Sequence, residues 1–367
     1  MGIDSFRVRA ASVAAASVAV AATLFAAAPA ESVAKPRAPK GFFGVHVRGL
    51  DGGNFTRMRK ANAGIVRTGF NLSTLRSSPY GPDNWSIFDN YVAGTANNRM
   101  DLMPVVYGMP AWLPGEIMDP VVQAAWQQYL TDLVERYGPG GDFWKLHPRV
   151  RYRPVRYWQL WNEPNSFVNW EDPDGREFGR FLTRSADVIH GLDPGASVVS
   201  GGVVSEPLNP DVERGNSFLR DMLAKRRTRR AVDVVAVHPY AKNASAAKRA
   251  MKDARRVLDH RGMKQTPIWI SEIGWGSTTP PGASGRARPT GPGHRWAMTP
   301  SRQRHHLRRT FKIALKQRFR LGIGRVIWYQ WKSGPDSDCR WCETAGLLDG
   351  DGDAKRLLGD FRKLARR

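Results

Sequence analysis

Residues 156–165 read Arg-Tyr-Trp-Gln-Leu-Trp-Asn-Glu-Pro-Asn, an apolar and aromatic run that ends at a carboxylate. A short run of this kind is typical of a strand that is buried on both faces, as in a parallel sheet. Seven other runs have the same character and predict strands at residues 41–47, 64–70, 101–107, 197–204, 232–237, 267–273 and 324–331. With residues 156–161, the sequence therefore predicts eight strands.

Helical patterns fall between these strands. Apolar residues recur at helical spacing in residues 121–137, 178–190, 245–260, 301–319 and 354–364. Alternating strands and helices indicate a parallel α/β sheet, and eight such units are the number in a single (β/α)8 TIM barrel. We predict this barrel for residues 41–367. A doubly wound sheet is the alternative, and it usually has fewer strands.

The N-terminus has the features of an export signal. Arg7 and Arg9 precede an alanine-rich run at residues 10–28, which small-residue cleavage candidates follow. We expect residues 1–34 to be a signal peptide, with an uncleaved membrane anchor as the alternative, and residues 35–40 to be a short linker. The sequence therefore predicts a secreted or cell-surface protein.

The chain carries a formal net charge of +23, and its basic residues are clustered. One cluster is residues 225–230, and the other is residues 301–325, a stretch without acidic residues. Such a surface attracts polyanions. The expected partner is an anionic cell-wall polymer or exopolysaccharide rather than nucleic acid, because no nucleic-acid-binding motif is present. The alternative is a solvated outer face of barrel helices.

The sequence has two cysteines, Cys339 and Cys342. In an exported protein such a pair can oxidise, so a small structural disulfide is expected. Free thiols and a redox-active pair are the alternatives, and redox chemistry would require a thioredoxin-like context.

Two glutamates stand where predicted strands stop. Glu163 follows the fourth strand and Glu272 ends the seventh, and aromatic residues flank both. In a barrel the carboxyl ends of the strands meet at one face and carry the working residues. Two facing carboxyl groups can cleave a glycosidic bond, because one protonates the leaving oxygen and the other attacks the anomeric carbon or activates water.

Both glutamates lie in recognisable motifs. Residues 161–165 (Trp-Asn-Glu-Pro-Asn) and 270–275 (Ile-Ser-Glu-Ile-Gly-Trp) resemble the signatures of the clan A glycoside hydrolases, and are most similar to those of families 39 and 5. This resemblance implies a retaining hydrolase of β-linked poly- or oligosaccharides. It also implies that Glu163 is the acid/base and Glu272 the nucleophile.

The resemblance implies further site residues. Arg67 is similar to the clan's arginine near the nucleophile, and it would hold Glu272 ionised. Tyr240 would hydrogen-bond Glu272, and Asn162 would bind the sugar 2-hydroxyl. Contacts with the sugar are expected from His46, Trp112, His238, Trp275 and Trp331.

The expected enzyme is a monomer that needs no cofactor or metal. The aspartate-rich run at residues 349–353 lacks the glycine and the final glutamate of a calcium loop, so a turn is expected there. Two other functions remain open at this point. One is a catalytically inactive carbohydrate-binding barrel at the cell surface, and the other is a transglycosylase that uses the same site.

Overall fold

The computed structural model describes residues 38–49, 54–205, 214–277, 297–335, 339 and 341–366. The predicted signal peptide, residues 1–34, lies outside the described residues, as does much of the predicted linker. Within the described part of the chain, no helix is both long and apolar enough to cross a membrane.

A parallel barrel occupies the centre of the fold. Its strands are β1 (Phe43–Val47), β2 (Ile65–Asn71), β3 (Asp101–Tyr107), β4 (Tyr157–Leu160), β5 (two segments, Ser197–Val199 and Val203–Val204), β6 (Val235–His238), β7 (Ile268–Ile273) and β8 (Ile323–Trp328). Neighbouring strands pair in chain order, and β8 pairs with β1. The first segment of β5 pairs with β4 and the second with β6, so the sheet closes. The predicted (β/α)8 barrel is therefore confirmed.

The break in β5 was not predicted, because residues 197–204 were expected to form one strand. Close packing accounts for the glycine at the break. A Cβ atom added to Gly202 would lie 2.0 Å from Nε2 of His238, so only glycine fits beside that ring.

Helices surround the barrel. Those described are α1 (Asn54–Lys60), α2 (Leu72–Leu75), α3 (Ser86–Asn97), α4 (Pro120–Tyr137), α5 (Asp142–Leu146), α6 (Gly175–Leu192), α7 (Gly215–Met222), α8 (Arg226–Ala231), α9 (Ala244–His260), α10 (Pro300–Leu321) and α11 (Arg356–Ala365). A short parallel pair, Gly276–Ser277 with Ala297–Met298, follows β7. The five helices predicted from periodicity match α4, α6, α9, α10 and α11 to within a few residues. The two basic clusters fall mainly on α8 and α10.

Side chains on each strand alternate between the barrel interior and the helix layer. The interior is filled by Ile65, Met103, Val199, Val234, Ala236, Trp269 and Ile327. At the amino end of the barrel, the Asp101 carboxylate accepts hydrogen bonds from Arg153 and Arg325. The Arg325 guanidinium also lies 4.8 Å from the centre of the Trp269 ring. Packing and charge pairing therefore close the amino end of the barrel. The inward-facing side chains that remain lie at its carboxyl end.

Cys339 and Cys342 form the expected disulfide. Trp341, between them, is 6% exposed, and its ring centre lies 5.1 Å from that of Tyr240. The disulfide therefore braces a loop that packs against one of the predicted site residues.

Candidate active site

Because side chains alternate between the two faces of a strand, several of the predicted site residues face the barrel interior at the carboxyl ends of the strands. On β2, Ile65 fills the barrel interior, so Arg67, two residues later, faces the same way. On β6, Ala236 fills the interior, and His238 and Tyr240 continue its face toward the carboxyl end. His46 of β1 is in register with Arg67. Polar side chains therefore replace the apolar core where these strands end.

Glu272 reaches the interior through a β-bulge. Val326 of β8 pairs with Ile270, whereas Trp328 pairs with Ile273, so β7 contains one extra residue over this interval. Simple alternation would turn Ser271 inward and Glu272 outward. With the bulge, both side chains bond to inward-facing residues of β6 and of the loop that follows it. Bulges commonly re-aim a side chain in this way beside active sites.

Glu163 lies in a tight, left-handed turn after β4. The φ angles of Trp161 and Glu163 are 70° and 45°, a region that residues with side chains seldom adopt. The Trp161 indole nitrogen donates to the carbonyl of Asn169 at 2.6 Å, and the amide of Ser166 donates to the carbonyl of Glu163 at 2.9 Å. These bonds hold the turn in a conformation that an unconstrained chain would leave.

The Glu272 carboxylate is buried, and both of its oxygens accept hydrogen bonds. Arg67 donates to Oε1, and the Tyr240 hydroxyl donates to Oε2 at 2.6 Å. Burial alone would raise the pKa of this carboxyl group, but the charges of His238 and Arg67 outweigh burial and lower the pKa to about 2. Burial and the Glu272 charge raise the pKa of Tyr240 well above its usual value, so its hydroxyl stays protonated.

Arg67 organises the floor of the site. Its Nε donates to Oε1 of Gln159 at 2.8 Å, and its Nη2 donates to Oδ1 of Asn162 at 2.7 Å. Its Nη1, which bonds Glu272, also lies 3.0 Å from Nδ1 of His46. One guanidinium thus ties β1, β2, β4 and β7 together. Because this cation is 1% exposed, removing its carboxylate partner would leave an uncompensated buried charge.

His46 is neutral in this arrangement. Burial and the Arg67 charge lower its pKa to about 3. Since Nδ1 accepts from Arg67, the proton of the neutral ring resides on Nε2. His46 therefore offers a hydrogen-bond donor at the edge of the site, and its ring stacks on Tyr329 with centres 5.0 Å apart.

His238 lies between the two carboxylates. Its Nδ1 is 2.7 Å from Oε1 of Glu163 and 3.7 Å from Oε2 of Glu272, and its Nε2 is 3.0 Å from the Ser271 hydroxyl. One oxygen of Glu163 lies within 4.8 Å of one oxygen of Glu272. The carboxylates differ in access to solvent, because the side chain of Glu163 is 21% exposed and that of Glu272 is 7% exposed.

Glu163, His238 and Glu272 form the group in the described residues whose atoms are close enough together to hold a metal ion. The chemistry of this group argues against such a role. Both oxygens of Glu272 and both ring nitrogens of His238 already have partners, and the Arg67 cation would repel a metal at Glu272. The arrangement is better suited to proton transfer and to nucleophilic attack.

The structure thus brings together seven of the predicted side chains: Arg67, His238 and, around them, His46, Asn162, Glu163, Tyr240 and Glu272. Trp112 is half-buried, and its indole donates to the carbonyl of Arg76 at 3.0 Å. Trp275 is fully buried against His306 of α10 and Trp328 of β8, so its ring belongs to the helix layer. Trp331 is 2% exposed, and its backbone amide donates to the carbonyl of His46 at 2.8 Å.

Four residues of the site were not identified from the sequence. Gln159 and Ser271 bond Arg67 and His238, and Tyr329 and Trp341 pack on His46 and Tyr240. A polar residue at an inward position of an apolar strand could have revealed Gln159 and Ser271. No comparable signal marks the two aromatic residues, because their contacts depend on the loop after β8.

No protein-family profile matches the chain, and no curated protein is significantly similar to it in sequence. Solved structures are similar in fold. A family 39 glycoside hydrolase from Bacteroides cellulosilyticus superposes with a TM-score of 0.63 at 17% identity, over 88% of this chain and 63% of that one. The chain therefore spans less than two thirds of that protein.

Two other similar structures are covered over a larger share of their own length. A family 5, subfamily 18 glycoside hydrolase from Bifidobacterium longum, in complex with Manβ1-4GlcNAc, has a TM-score of 0.62 at 15% identity, over 88% of this chain and 77% of that one. A monomeric β-xylosidase from Caulobacter crescentus has a TM-score of 0.56 at 16% identity, over 89% of this chain and 69% of that one. The chain therefore shares its fold with glycoside hydrolases of families 39 and 5.

Proposed function

We propose that this protein is a retaining glycoside hydrolase that cleaves β-linked glycosidic bonds in a poly- or oligosaccharide. The observation that carries the proposal is the carboxylate pair, Glu163 and Glu272, with one oxygen of each within 4.8 Å of the other. Retaining glycosidases separate their carboxyl groups by about 5–5.5 Å, whereas inverting enzymes leave roughly 6.5–9.5 Å for a water molecule. The close approach therefore supports direct attack by one carboxylate.

The surroundings of the two carboxylates support different roles. Glu272 has a pKa of about 2, so it is ionised at neutral pH and suits the nucleophile. Glu163 is the more exposed of the two, so it can exchange protons with the leaving group and with water. In the first step Glu163 protonates the glycosidic oxygen as Glu272 attacks the anomeric carbon. In the second step Glu163 takes a proton from water, and that water releases the sugar from Glu272.

Neighbouring groups would position the sugar. Asn162 accepts from Arg67 through Oδ1, which turns its amide NH2 group toward donation, and the sugar 2-hydroxyl is its proposed partner. Nε2 of His46 is a second donor. Among the structures of similar fold, a β-xylosidase and a complex with Manβ1-4GlcNAc both concern β-linked sugars, which supports a β-linked substrate here.

The wider setting belongs to the same proposal. Residues 1–34 would export the chain, and residues 41–367 would form a monomeric catalytic domain that works outside the cell. The basic helices α8 and α10 would hold the enzyme near an anionic cell-wall or extracellular polymer. Attraction of this kind is screened by salt.

A panel of aryl glycosides and polysaccharides, assayed with purified protein, tests the proposal. We expect turnover of at least one β-glycoside and loss of that turnover in Glu272→Ala. Azide or formate should restore part of the activity of this variant by replacing the missing carboxylate. Binding of a glycan without turnover would instead indicate an inactive carbohydrate-binding barrel. Activity retained in Glu272→Ala would refute the assigned nucleophile.

A further inference from the structure

A small, open surface cavity lined mainly by charged residues lies on the outer wall of the barrel, between α6 and α8. Its volume is about 290 Å³. This is near the lower limit of ligand pockets, which span about 300–1,000 Å³, so the cavity suits a small group rather than a whole oligosaccharide. It is lined by Asp187, His190, Arg226, Arg227, Arg230 and Ala231. None of these residues has a part in the proposed reaction.

The positive charges of this cavity exceed its negative ones. The Asp187 carboxylate is already paired with Arg227, with 2.7 Å between Nη2 and Oδ2. Nε2 of His190 lies 2.9 Å from Oδ2 of Asp233, and this hydrogen bond raises the pKa of His190. Arg226 and Arg230 line the same cavity without an acidic partner among the described residues. The cavity therefore carries two exposed arginine cations that have no carboxylate partner among the described residues.

The helix itself makes this arrangement unfavourable in the absence of an anion. Arg226 and Arg230 are four residues apart on α8, so their side chains leave the same face, and like charges at this spacing repel. Arg229 is directed elsewhere, because its Nη1 donates to the carbonyls of Leu223 and Ala224 at 2.9 and 2.7 Å. An anion between Arg226 and Arg230 would turn the repulsion into attraction.

We propose that this cavity binds a phosphate group carried by an anionic polysaccharide or cell-wall polymer. Arginine and histidine side chains approach the space from two helices. A phosphate monoester carries about −1.5 to −2 charges and three acceptor oxygens, whereas a carboxylate carries one charge and two oxygens, so phosphate can bridge the two arginines better. The choice of a carbohydrate polymer as the carrier rests on the proposed glycosidase function, but the phosphate site itself does not.

The test compares two double variants of equal charge. Arg226→Gln with Arg230→Gln removes the unpaired cations of the cavity. Lys312→Gln with Lys316→Gln removes two exposed cations at the same spacing on α10. Binding of inorganic phosphate is followed by the broadening of its phosphorus NMR signal. The cavity variant should bind phosphate at least about tenfold more weakly than wild type, because charge-assisted hydrogen bonds are lost, and the α10 variant should bind as wild type does.

Chromatography then identifies the carrier. The cavity variant should elute from phosphocellulose at lower salt than the α10 variant, and the two should elute together from carboxymethylcellulose. Equal phosphate binding by both variants, or no binding by wild type, would overturn the site. Wild type that binds phosphatidylglycerol vesicles through Arg226 and Arg230, but shows no such dependence on phosphocellulose, would overturn the polymer as carrier. Neither measurement uses glycosidase activity, so the two proposals can fail separately.

Discussion

Replacing Tyr240 by phenylalanine is the sharpest probe of how the site controls Glu272. The substitution keeps the ring, which packs against Trp341, and removes one hydrogen bond of 2.6 Å to Oε2 of Glu272. That bond favours the ionised carboxylate and lowers its pKa. Its loss should therefore raise the pKa of Glu272, and the acidic limb of the kcat/KM profile should move to higher pH.

The size of the effect follows from the type of bond. A hydrogen bond to a charged group contributes about 1.5–3 kcal/mol net, and about 1.4 kcal/mol corresponds to a factor of ten. We therefore expect kcat/KM of Tyr240→Phe to fall about 10- to 150-fold on the acidic limb, where Glu272 titrates, and to change little near neutral pH, where Glu272 stays ionised. The assay is the pH dependence of kcat/KM on whichever aryl β-glycoside the wild-type enzyme hydrolyses best.

Tyr129→Phe is the matched control. It also removes a buried tyrosine hydroxyl, but one that donates at 3.0 Å to the backbone carbonyl of Phe70, away from the carboxylates. It should cost about 1 kcal/mol of unfolding free energy and leave the pH profile unchanged. A Tyr240→Phe enzyme that melts like wild type and keeps the acidic limb of wild type would show that the Tyr240 hydroxyl does not control the ionisation of Glu272.

Three other predictions concern different parts of the molecule. Glu163→Ala should lose most activity on substrates with poor leaving groups, because those need the proton, and equal losses on activated and unactivated glycosides would contradict its assigned role. Replacing Cys339 and Cys342 by serine should lower kcat/KM, because Trp341 would then pack less firmly against Tyr240. A reductant should lower kcat/KM of wild type in the same way and leave that of the variant unchanged. Unchanged kinetics in both cases would exclude a bracing role for the disulfide. Turnover of a small neutral glycoside should vary little between low salt and about 0.5 M salt, where the Debye length is about 4 Å, while retention on an anionic polymer falls; a parallel loss of both would instead place basic residues in the site.

Much of this architecture could be predicted from residue pattern alone. Apolar runs and helical periodicity identified the eight strands and five of the helices. Glu163 and Glu272 stood out because each is a carboxylate at the end of an apolar strand. Closure of the barrel brings the ends of those strands to one face, so the proximity of the two glutamates follows from topology.

What could not be predicted depends on packing between segments. The bulge that turns Glu272 inward arises from the register between β7 and β8, so it cannot be predicted from the sequence of either strand alone. The need for glycine at the break in β5 follows from the space that His238 occupies beside Gly202. Trp275 shows a different limit, because an aromatic residue near a strand end suits a sugar platform and a core equally well. In the structure, the Trp275 ring packs against His306 of α10.

The most direct test of the central claim is to trap the glycosyl-enzyme and locate it. An activated aryl glycoside with fluorine at the sugar 2-position forms the covalent intermediate but releases it slowly, and the modified protein can be digested and mapped by mass spectrometry. We expect one added sugar, attached to the peptide that contains Glu272, and no addition to Glu272→Ala. A sugar attached to another residue, or an enzyme that hydrolyses glycosides with inversion and forms no adduct, would contradict that claim.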